Sequence, residues 1–324
     1  VVISVNLYLT RGHYISGEHM DSIKREKTEL EKNIYEDIQS EIRKYYDSEE
    51  IEYKDKEEPK DTIIDFFAYL YRLIPVIKRK VHYSEELLSR INSNDLPKEH
   101  IKILKMYDDA FSTGENMNIF LSNNTKKSRE TDFLRYTWHL YHLHMSGKFV
   151  ENKEQMKNNR SDTQLLCIIN LNDVYFVDVI PHPTKAEEYF NIRSLEIILK
   201  NGWMEKIGFF EITDMISGTL EPKITDDKDI FNIYSTCSAN IAFEFHGKGY
   251  CSFEPLNCTR RPYAAIDEMT KINRKICKLN SIKGSYIGFQ LGYNDEGILM
   301  GLVKYKTPTG EINSYNIFSK KEWK

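Results

Sequence analysis

The chain has no apolar run that approaches the about 20 residues of a membrane-spanning helix, so we expect no membrane partner. Cysteine is also scarce, since five residues are scattered along 324 positions and none forms a CxxC pair. This spacing argues against a disulfide framework and a zinc ribbon, and it predicts a reducing cytoplasm as the compartment.

A strong excess of one charge is missing too, because the formal net charge is -4 and the isoelectric point is near 6.2. This balance argues against a protein that coats DNA or an anionic membrane by bulk attraction, although it is compatible with local basic patches. The motifs G-x-S-x-G, H-E-x-x-H and the Walker phosphate loop are absent. Their absence argues against serine hydrolases, zinc proteases of the H-E-x-x-H type and P-loop enzymes.

The hydrophobic pattern predicts an α+β protein with a mainly helical N-terminal part followed by a mixed, antiparallel strand-rich part. Ile34, Ile38 and Ile42 lie four residues apart, as on one face of a helix. The stretch TQLLCIINLNDVYFVDVIPHP contains two β-rich runs around Asn172-Asp173 and predicts a hairpin. The final stretch SYIGFQLGYNDEGILMGLVKYKTPTGEINSYNIF predicts a three-stranded meander.

These patterns divide the chain into four predicted segments. A strong helix follows Met20 at once, so we expect translation to start there and residues 1–19 to be a mis-called extension. A mainly helical region is expected over 20–130 and an α+β candidate catalytic core over 131–205. An α+β region with the strand meander is expected over 206–324.

The stretch TWHLYHLHM at positions 137–145 holds three of the nine histidines. On a helix, Arg135, His139 and His142 would share a face. On a strand, His142 and His144 would share a face while His139 points to the other. The density of aromatic and β-capable residues favours the strand, on which residues two apart lie ~6–7 Å from each other. Both imidazoles could then address one small ligand.

Two further residues are predicted to join this pair. His182 follows the second strand of the hairpin, within VIPHPT. If the TWHLYHLHM strand pairs beside the hairpin, His182 can reach the face of His142 and His144. Arg160 precedes the first hairpin strand, and its guanidinium has a shape suited to phosphate.

Three interpretations of this group are open. The first is metal-independent acid–base catalysis on an RNA phosphodiester, with two histidines as base and acid and Arg160 stabilising the phosphorane. The second is a metal-dependent hydrolase in which zinc is bound by His142, His144 and His182. The third is a non-catalytic nucleic-acid- or protein-binding protein whose histidines are structural. Tyr175 and Asp178 are predicted hydrogen-bond partners of the group.

A basic run precedes the histidine stretch. Arg72, Lys78, Arg79 and Lys80 alternate with tyrosines, a pattern that can follow a nucleic-acid backbone and stack its bases. An exposed basic loop without a ligand explains the same pattern. We therefore keep these residues as predicted nucleic-acid contacts, with RNA as the expected partner.

Five segments occur in a set order over residues ~62–205: RLIPVIKRKVHYSEEL, GENMNIFLS, YHLHM, LLCIINL…VYFVDVIPH and LEIILKNGW. Together they resemble an uncharacterised bacterial family that carries a WxxHLHLG-like segment followed by a hairpin ending in His. This sequence departs from that pattern at Met145, where the family has Leu before Gly, and at Gly202, which interrupts an Asn–Trp pair.

The resemblance implies that His142, His144 and His182 act as a group. Similar proteins occur among mobile-element and phage-defence cargo, which implies a toxin-like endoribonuclease with a regulatory or antitoxin protein partner. We therefore expect a cytoplasmic ribonuclease that needs no cofactor. His142 and His144 would serve as acid and base, His182 would complete the site, and Arg160 would hold phosphate.

Overall fold

The computed structural model describes most of the chain, and the described residues are 28–55, 58–147, 161–213, 220–236, 242–252 and 261–318. The predicted extension at 1–19 lies outside them, and so does Arg160.

The described residues form eight α-helices and ten strands, which confirms the predicted α+β class. The helices are α1 Glu29–Ser48, α2 Pro59–Arg72, α3 Glu85–Asn92, α4 Lys98–Thr113, α5 Phe133–Trp138, α6 Ile192–Lys200, α7 Asp227–Thr236 and α8 Tyr263–Leu279. The strands are β1 Lys80–Tyr83, β2 Leu140–His144, β3 Thr163–Ile169, β4 Asp173–Pro181, β5 Phe209–Glu211, β6 Ala242–Phe245, β7 Lys248–Ser252, β8 Ser285–Tyr293, β9 Leu299–Lys306 and β10 Ile312–Asn316. None of these described helices combines the length and the apolar character needed to cross a membrane.

Local sequence signals explain where the helices begin and end. The side chain of Thr28 accepts a hydrogen bond from the backbone N–H of Glu31, whose carboxylate accepts one from Thr28, so a capping box starts α1. Helix α4 ends at Gly114, which has a left-handed φ of 84°. A Cβ atom there would lie 3.0 Å from the Lys78 backbone nitrogen, so this turn requires glycine.

The sheet that carries the histidine stretch has the strand order β1-β4-β3-β2. Strands β3 and β4 form the predicted hairpin, and β2 pairs antiparallel with β3. In this register His142 lies opposite Leu166 and His144 opposite Gln164. Strand β1 completes the sheet by pairing parallel with β4.

The described residues pack into three hydrophobic cores. One face of the four-stranded sheet packs against α3 and α4, and the other packs against α6, α7 and the small sheet β5-β7-β6. The third core joins α1 and α2 to α8 and the meander of β8, β9 and β10. The N-terminal helices therefore share a core with the C-terminal meander, across the segment boundaries predicted at 130 and 205.

A buried carboxylate joins two helices to the central strand β4. Asp178 is 2% exposed, and its carboxylate forms ion pairs with Arg90 of α3 and with Arg193 Nε of α6, the latter at 3.1 Å. Arg90 also donates to the carbonyl of Val179 at 2.9 Å. These contacts hold helices from opposite faces of the sheet at one point of the strand.

We expect Asp178→Ala to lower the free energy of unfolding by about 2–3 kcal/mol, because it leaves two arginines beside a buried site with no counter-charge. The matched control is Asp55→Ala, which breaks the exposed Arg43–Asp55 pair at 3.1 Å. That change should cost less than about 1 kcal/mol. Urea unfolding followed by circular dichroism measures both, and equal costs would contradict a buried structural role for Asp178.

Candidate active site

The TWHLYHLHM stretch changes structure at its third residue. Helix α5 ends at Trp138, His139 adopts a left-handed φ of 53°, and β2 begins at Leu140. The strand predicted for this stretch is therefore confirmed from Leu140 to His144, whereas the residues before His139 are helical. Asp132 starts that helix, since its carboxylate accepts a hydrogen bond from the backbone N–H of Arg135 at 3.0 Å.

Alternation along β2 places His142 and His144 on the face opposite to Tyr141 and Leu143. Tyr141 and Leu143 belong to the core that faces α4, and Leu140 belongs to the core on the other face. His142 and His144 share the face of Leu140 because they lie two and four residues beyond it. Both histidines line a cavity at the end of that core.

A β-bulge brings His182 to the same face. Phe176 and Val179 both belong to the core that faces α4, so two residues between them face the other way, and the register shifts at this point. Strict alternation from Phe176 would place His182 on the α4 side of the sheet. With the bulge, His182 lies beyond Ile180 on the histidine face, and its ring centroid is 5.1 Å from that of His144.

The ring of His144 is held by a short hydrogen-bond relay. The hydroxyl of Tyr189 donates to Oε1 of Gln164 at 2.9 Å. Nε2 of that amide lies 3.4 Å from Nε2 of His144. Because an amide NH₂ group only donates, Nε2 of His144 accepts, and neutral His144 carries its proton on Nδ1.

His182 is held through its other ring nitrogen. Nδ1 lies 2.8 Å from the carbonyl oxygen of Pro183, and a carbonyl only accepts, so Nδ1 carries a proton. The backbone N–H of His182 also donates to the carbonyl of Asp162 at 2.7 Å, which continues the β3–β4 ladder. The exposed ring thus has a fixed orientation, and Nε2 is the ring nitrogen that takes no part in this bond.

His142 occupies a different environment. Burial lowers the pKa of His142 most, and the neighbouring His182 also lowers it, while Asp132 acts in the opposite direction. Its buried Nδ1 has no hydrogen-bond partner among the described residues, and the ring of Tyr189 lies 4.8 Å away between centroids. At neutral pH His142 is therefore held in its uncharged form.

The three histidines share a cavity of about 520 Å³. Its sheet wall is formed by His142, His144, Gln164 and His182, and Tyr189 lies beside them. The rest of the lining includes Phe133 and Phe190, Phe231 of α7, and a segment at 122–132 that includes Glu130 and Asp132. A volume of this size is typical of pockets for small ligands or single nucleotides.

Gln164 and Tyr189 are site residues that the sequence pattern did not predict. Gln164 is fully buried on an otherwise apolar strand, and this polar position within TQLLCII is the signal that could have marked it. Tyr189 ends a short 3-10 helix, Ala186–Tyr189, whose position the sequence does not fix.

The two predicted hydrogen-bond partners lie elsewhere, which corrects that expectation. Tyr175 stacks on His82, with the ring centroids 4.8 Å apart, and contacts Trp203 on its other side. The carboxylate of Asp178 forms its ion pairs with Arg90 and Arg193. Tyr175 and Asp178 both lie on β4, which β3 separates from the strand of His142 and His144.

The four basic residues predicted to bind nucleic acid do not form one surface. Arg79 is buried, and its Nε donates to the carbonyl of Asn170 at 2.8 Å, so its charge serves the fold. Arg72 is also buried, yet it lines the histidine cavity. Lys78 and Lys80 are exposed. Burial therefore distinguishes Arg72 and Arg79 from Lys78 and Lys80, and nucleic-acid binding by these four residues stays a prediction.

The described residues contain no group of three or more His, Cys, Asp or Glu side chains arranged to hold a metal ion. The rings of His144 and His182 are tilted by only 32° at 5.1 Å. Zinc binding by His142, His144 and His182 therefore stays a prediction.

His139 has a structural environment. Its Nδ1 lies 3.2 Å from the Tyr71 hydroxyl and 3.3 Å from Nη1 of Arg135, whose guanidinium stacks over the rings of Tyr71 and Tyr141. Burial, together with the charge of Arg135, lowers the pKa of His139 to about 3. Gly208 permits this packing, because a Cβ atom there would lie 3.1 Å from Nε2 of His139.

No protein-family model, no curated protein and no solved structure matches this chain.

The depressed pKa of His139 predicts a pH-dependent stability. In the unfolded chain the pKa of this histidine is about 6.5, so below this pH the unfolded chain binds a proton that folded His139 does not bind. The free energy of unfolding therefore falls as the pH decreases. His139→Asn retains a residue that tolerates positive φ and should weaken this fall between about pH 7 and 5. His246→Asn is the matched control, since His246 also has a positive φ of 49° but is exposed. Equal pH slopes in native protein and His139→Asn would rule the effect out.

The hydrogen bonds at His144 and His182 predict their tautomers. Nitrogen-15 NMR of the imidazole rings at about pH 8.5 should show both histidines protonated on Nδ1. Gln164→Leu should alter the His144 signals, because Nε2 loses its donor, and leave those of His182 in place. A His182 ring protonated on Nε2 alone would contradict the bond to Pro183.

Proposed function

We propose that the three-histidine cavity is the active site of a metal-independent endoribonuclease that uses acid–base chemistry on a phosphodiester. The observation that carries the proposal is the unlike environment of two histidines on one wall. His142 is partly buried and kept neutral, the form that a general base needs. His182 is exposed, and its Nδ1 donates to a carbonyl, which fixes the ring and leaves Nε2 as the nitrogen from which a general acid would act.

In the proposed reaction, His142 takes the proton from the ribose 2′-hydroxyl, whose oxygen attacks the adjacent phosphorus. The bond from phosphorus to the 5′ oxygen breaks, and Nε2 of His182 supplies the proton to that leaving oxygen. The products are a 2′,3′-cyclic phosphate and a free 5′-hydroxyl. His144 stacks against His182 and is oriented by Gln164, so we assign it a positioning role.

The phosphate needs positive charge near the reacting oxygens. Arg160 was proposed for this role and lies outside the described residues. Within the described part of the chain, Lys185 and Arg72 line the cavity. We therefore add Lys185 as a candidate phosphate contact, because it is a cation on the cavity wall close in sequence to His182.

We further propose a cytoplasmic toxin-like effector in phage defence, restrained by a regulatory or antitoxin protein partner. This part is supported only by the resemblance of the five sequence segments, and the cavity itself does not bear on it.

The test is cleavage of a fluorescent RNA oligonucleotide by purified full-length protein in the presence of EDTA. His142→Asn and His182→Asn should each lower kcat/KM by about 10²–10⁴-fold, the usual contribution of a general acid or base. His246→Asn, at an exposed ring outside the cavity, is the matched control. In native protein kcat/KM should fall on the acidic side only below about pH 6.5, because the pKa of His142 is lowered.

Unchanged cleavage by His182→Asn with an intact fold would overturn the proposal. Stoichiometric zinc that disappears in His144→Ala, together with activity abolished by EDTA, would replace it with the three-histidine metal hydrolase. Tight RNA binding without cleavage would favour the non-catalytic interpretation.

A further inference from the structure

Three aromatic side chains of the histidine cavity are only partly buried. Phe133, Tyr189 and Phe231 pack against the core that the sheet shares with α6 and α7, yet each retains exposed surface and lines the cavity. The ring of Tyr189 also lies 4.8 Å from that of His142 between centroids. Apolar surface left at a cavity wall favours a ligand with an apolar face, because binding removes this surface from water.

The cavity changes character between its exposed and its buried lining. His182, Thr184 and Lys185 are exposed, whereas Gln164 and Phe190 are buried. A ligand with a charged group and a planar apolar group would therefore keep its charge at the surface, beside His182 and Lys185, and bury the planar group. A nucleotide combines these two groups.

The 122–132 segment of the lining is fixed to the helical part of the molecule. The buried guanidinium of Arg72 on α2 donates to three backbone carbonyls of this segment, those of Asn124, Lys127 and Ser128, at 3.4, 2.6 and 3.3 Å. The carbonyl of Glu52 also accepts from the N–H of Ser128 at 2.9 Å. These bonds resist widening of the cavity when a ligand enters.

The size of the cavity limits what can enter it. A volume of about 520 Å³ is enough for one nucleotide but too small for a base pair with both of its backbones. The proposed reaction imposes the same limit, because a stacked A-form duplex holds the 2′ oxygen out of line with the bond from phosphorus to the 5′ oxygen. A nucleotide must therefore leave the helix before it can react.

We infer that the cavity binds one unpaired nucleotide of single-stranded RNA, with its base against Phe133 and Phe231 and its phosphate beside His182 and Lys185. The choice of RNA rests on the proposed ribonuclease function, but binding can be measured without any cleavage. Every base has a π face that can stack on an aromatic ring. The unpaired state of the nucleotide, rather than its sequence, therefore decides which RNA binds.

The first experiment measures binding of fluorescently labelled 2′-fluoro RNA to the full-length protein by fluorescence anisotropy. Without a 2′-hydroxyl this RNA cannot form the cyclic phosphate, so binding is separated from cleavage. A single strand should bind about 10-fold or more tighter than the same strand annealed to its complement. Equal affinities for the two forms would overturn the inference.

Two substitutions test whether the cavity is the binding surface. Phe231→Leu and Phe133→Leu should each weaken binding of the single strand by about 5-fold or more, because leucine stays apolar but offers no ring for stacking. Phe210→Leu is the matched control, since Phe210 is 41% exposed and does not line the cavity, and it should leave the affinity unchanged.

Urea unfolding of each variant separates loss of binding from loss of fold, and Phe133→Leu decides the matter if Phe231→Leu does not fold. Unchanged affinity in both folded variants would assign the binding to another surface and overturn the inference.

The second experiment maps cleavage of an RNA hairpin whose loop and stem contain the same nucleotides. Cuts confined to the loop support the single-strand site. Equal cuts in loop and stem overturn that site and leave the ribonuclease proposal standing. Preferential binding of the single strand that is lost in Phe231→Leu, without cleavage of any RNA, overturns the ribonuclease proposal instead and leaves the nucleotide site standing.

Discussion

The antiparallel register of β2, β3 and β4 is the constraint on which the cavity depends. A slip of one residue in β2 would move His142 and His144 into the core that faces α4 and expose Leu143. The register is held because Leu143 and its cross-strand partner Leu165 are both fully buried in that core. Apolar burial on the opposite face of the sheet therefore helps to position the histidines.

The bulge in β4 adds the third histidine to that arrangement. Because it inserts one extra residue between Phe176 and Val179, every later residue of the strand changes face. His182 thereby meets His144 instead of entering the α4 core. The same irregularity leaves Asp178 beyond the end of β1, where Arg90 and Arg193 reach it from helices on either side. The site and the main buried ion cluster of the sheet thus share one backbone feature.

The sequence pattern predicts the elements well and the site only in part. Alternation of apolar residues is enough to predict the β3–β4 hairpin, the meander and the shared face of His142 and His144. The helix before His139 was missed because its aromatic residues favour strands, while the decisive contribution is the cap at Asp132. Arg72 and Arg79 were predicted at a surface because charged side chains usually lie in solvent. The sequence does not show that buried backbone carbonyls accept hydrogen bonds from these two arginines. The bulge has no signature in the sequence, so alternation alone suggests that His182 comes near the other two histidines but cannot establish which face it takes.

Three histidines within one short stretch acquire three chemical characters from their positions relative to the core. His139 lies inside it, against a guanidinium, and the cost of desolvating a charged ring removes it from titration at physiological pH. His144 lies at the margin, where Gln164 and Tyr189 satisfy one nitrogen and fix its tautomer. His142 lies at the same margin, and burial is the main cause that lowers its pKa. The proposed acid–base reaction depends on this pairing of a histidine of lowered pKa with a fixed, exposed His182, and packing produces the pairing without any change in residue type.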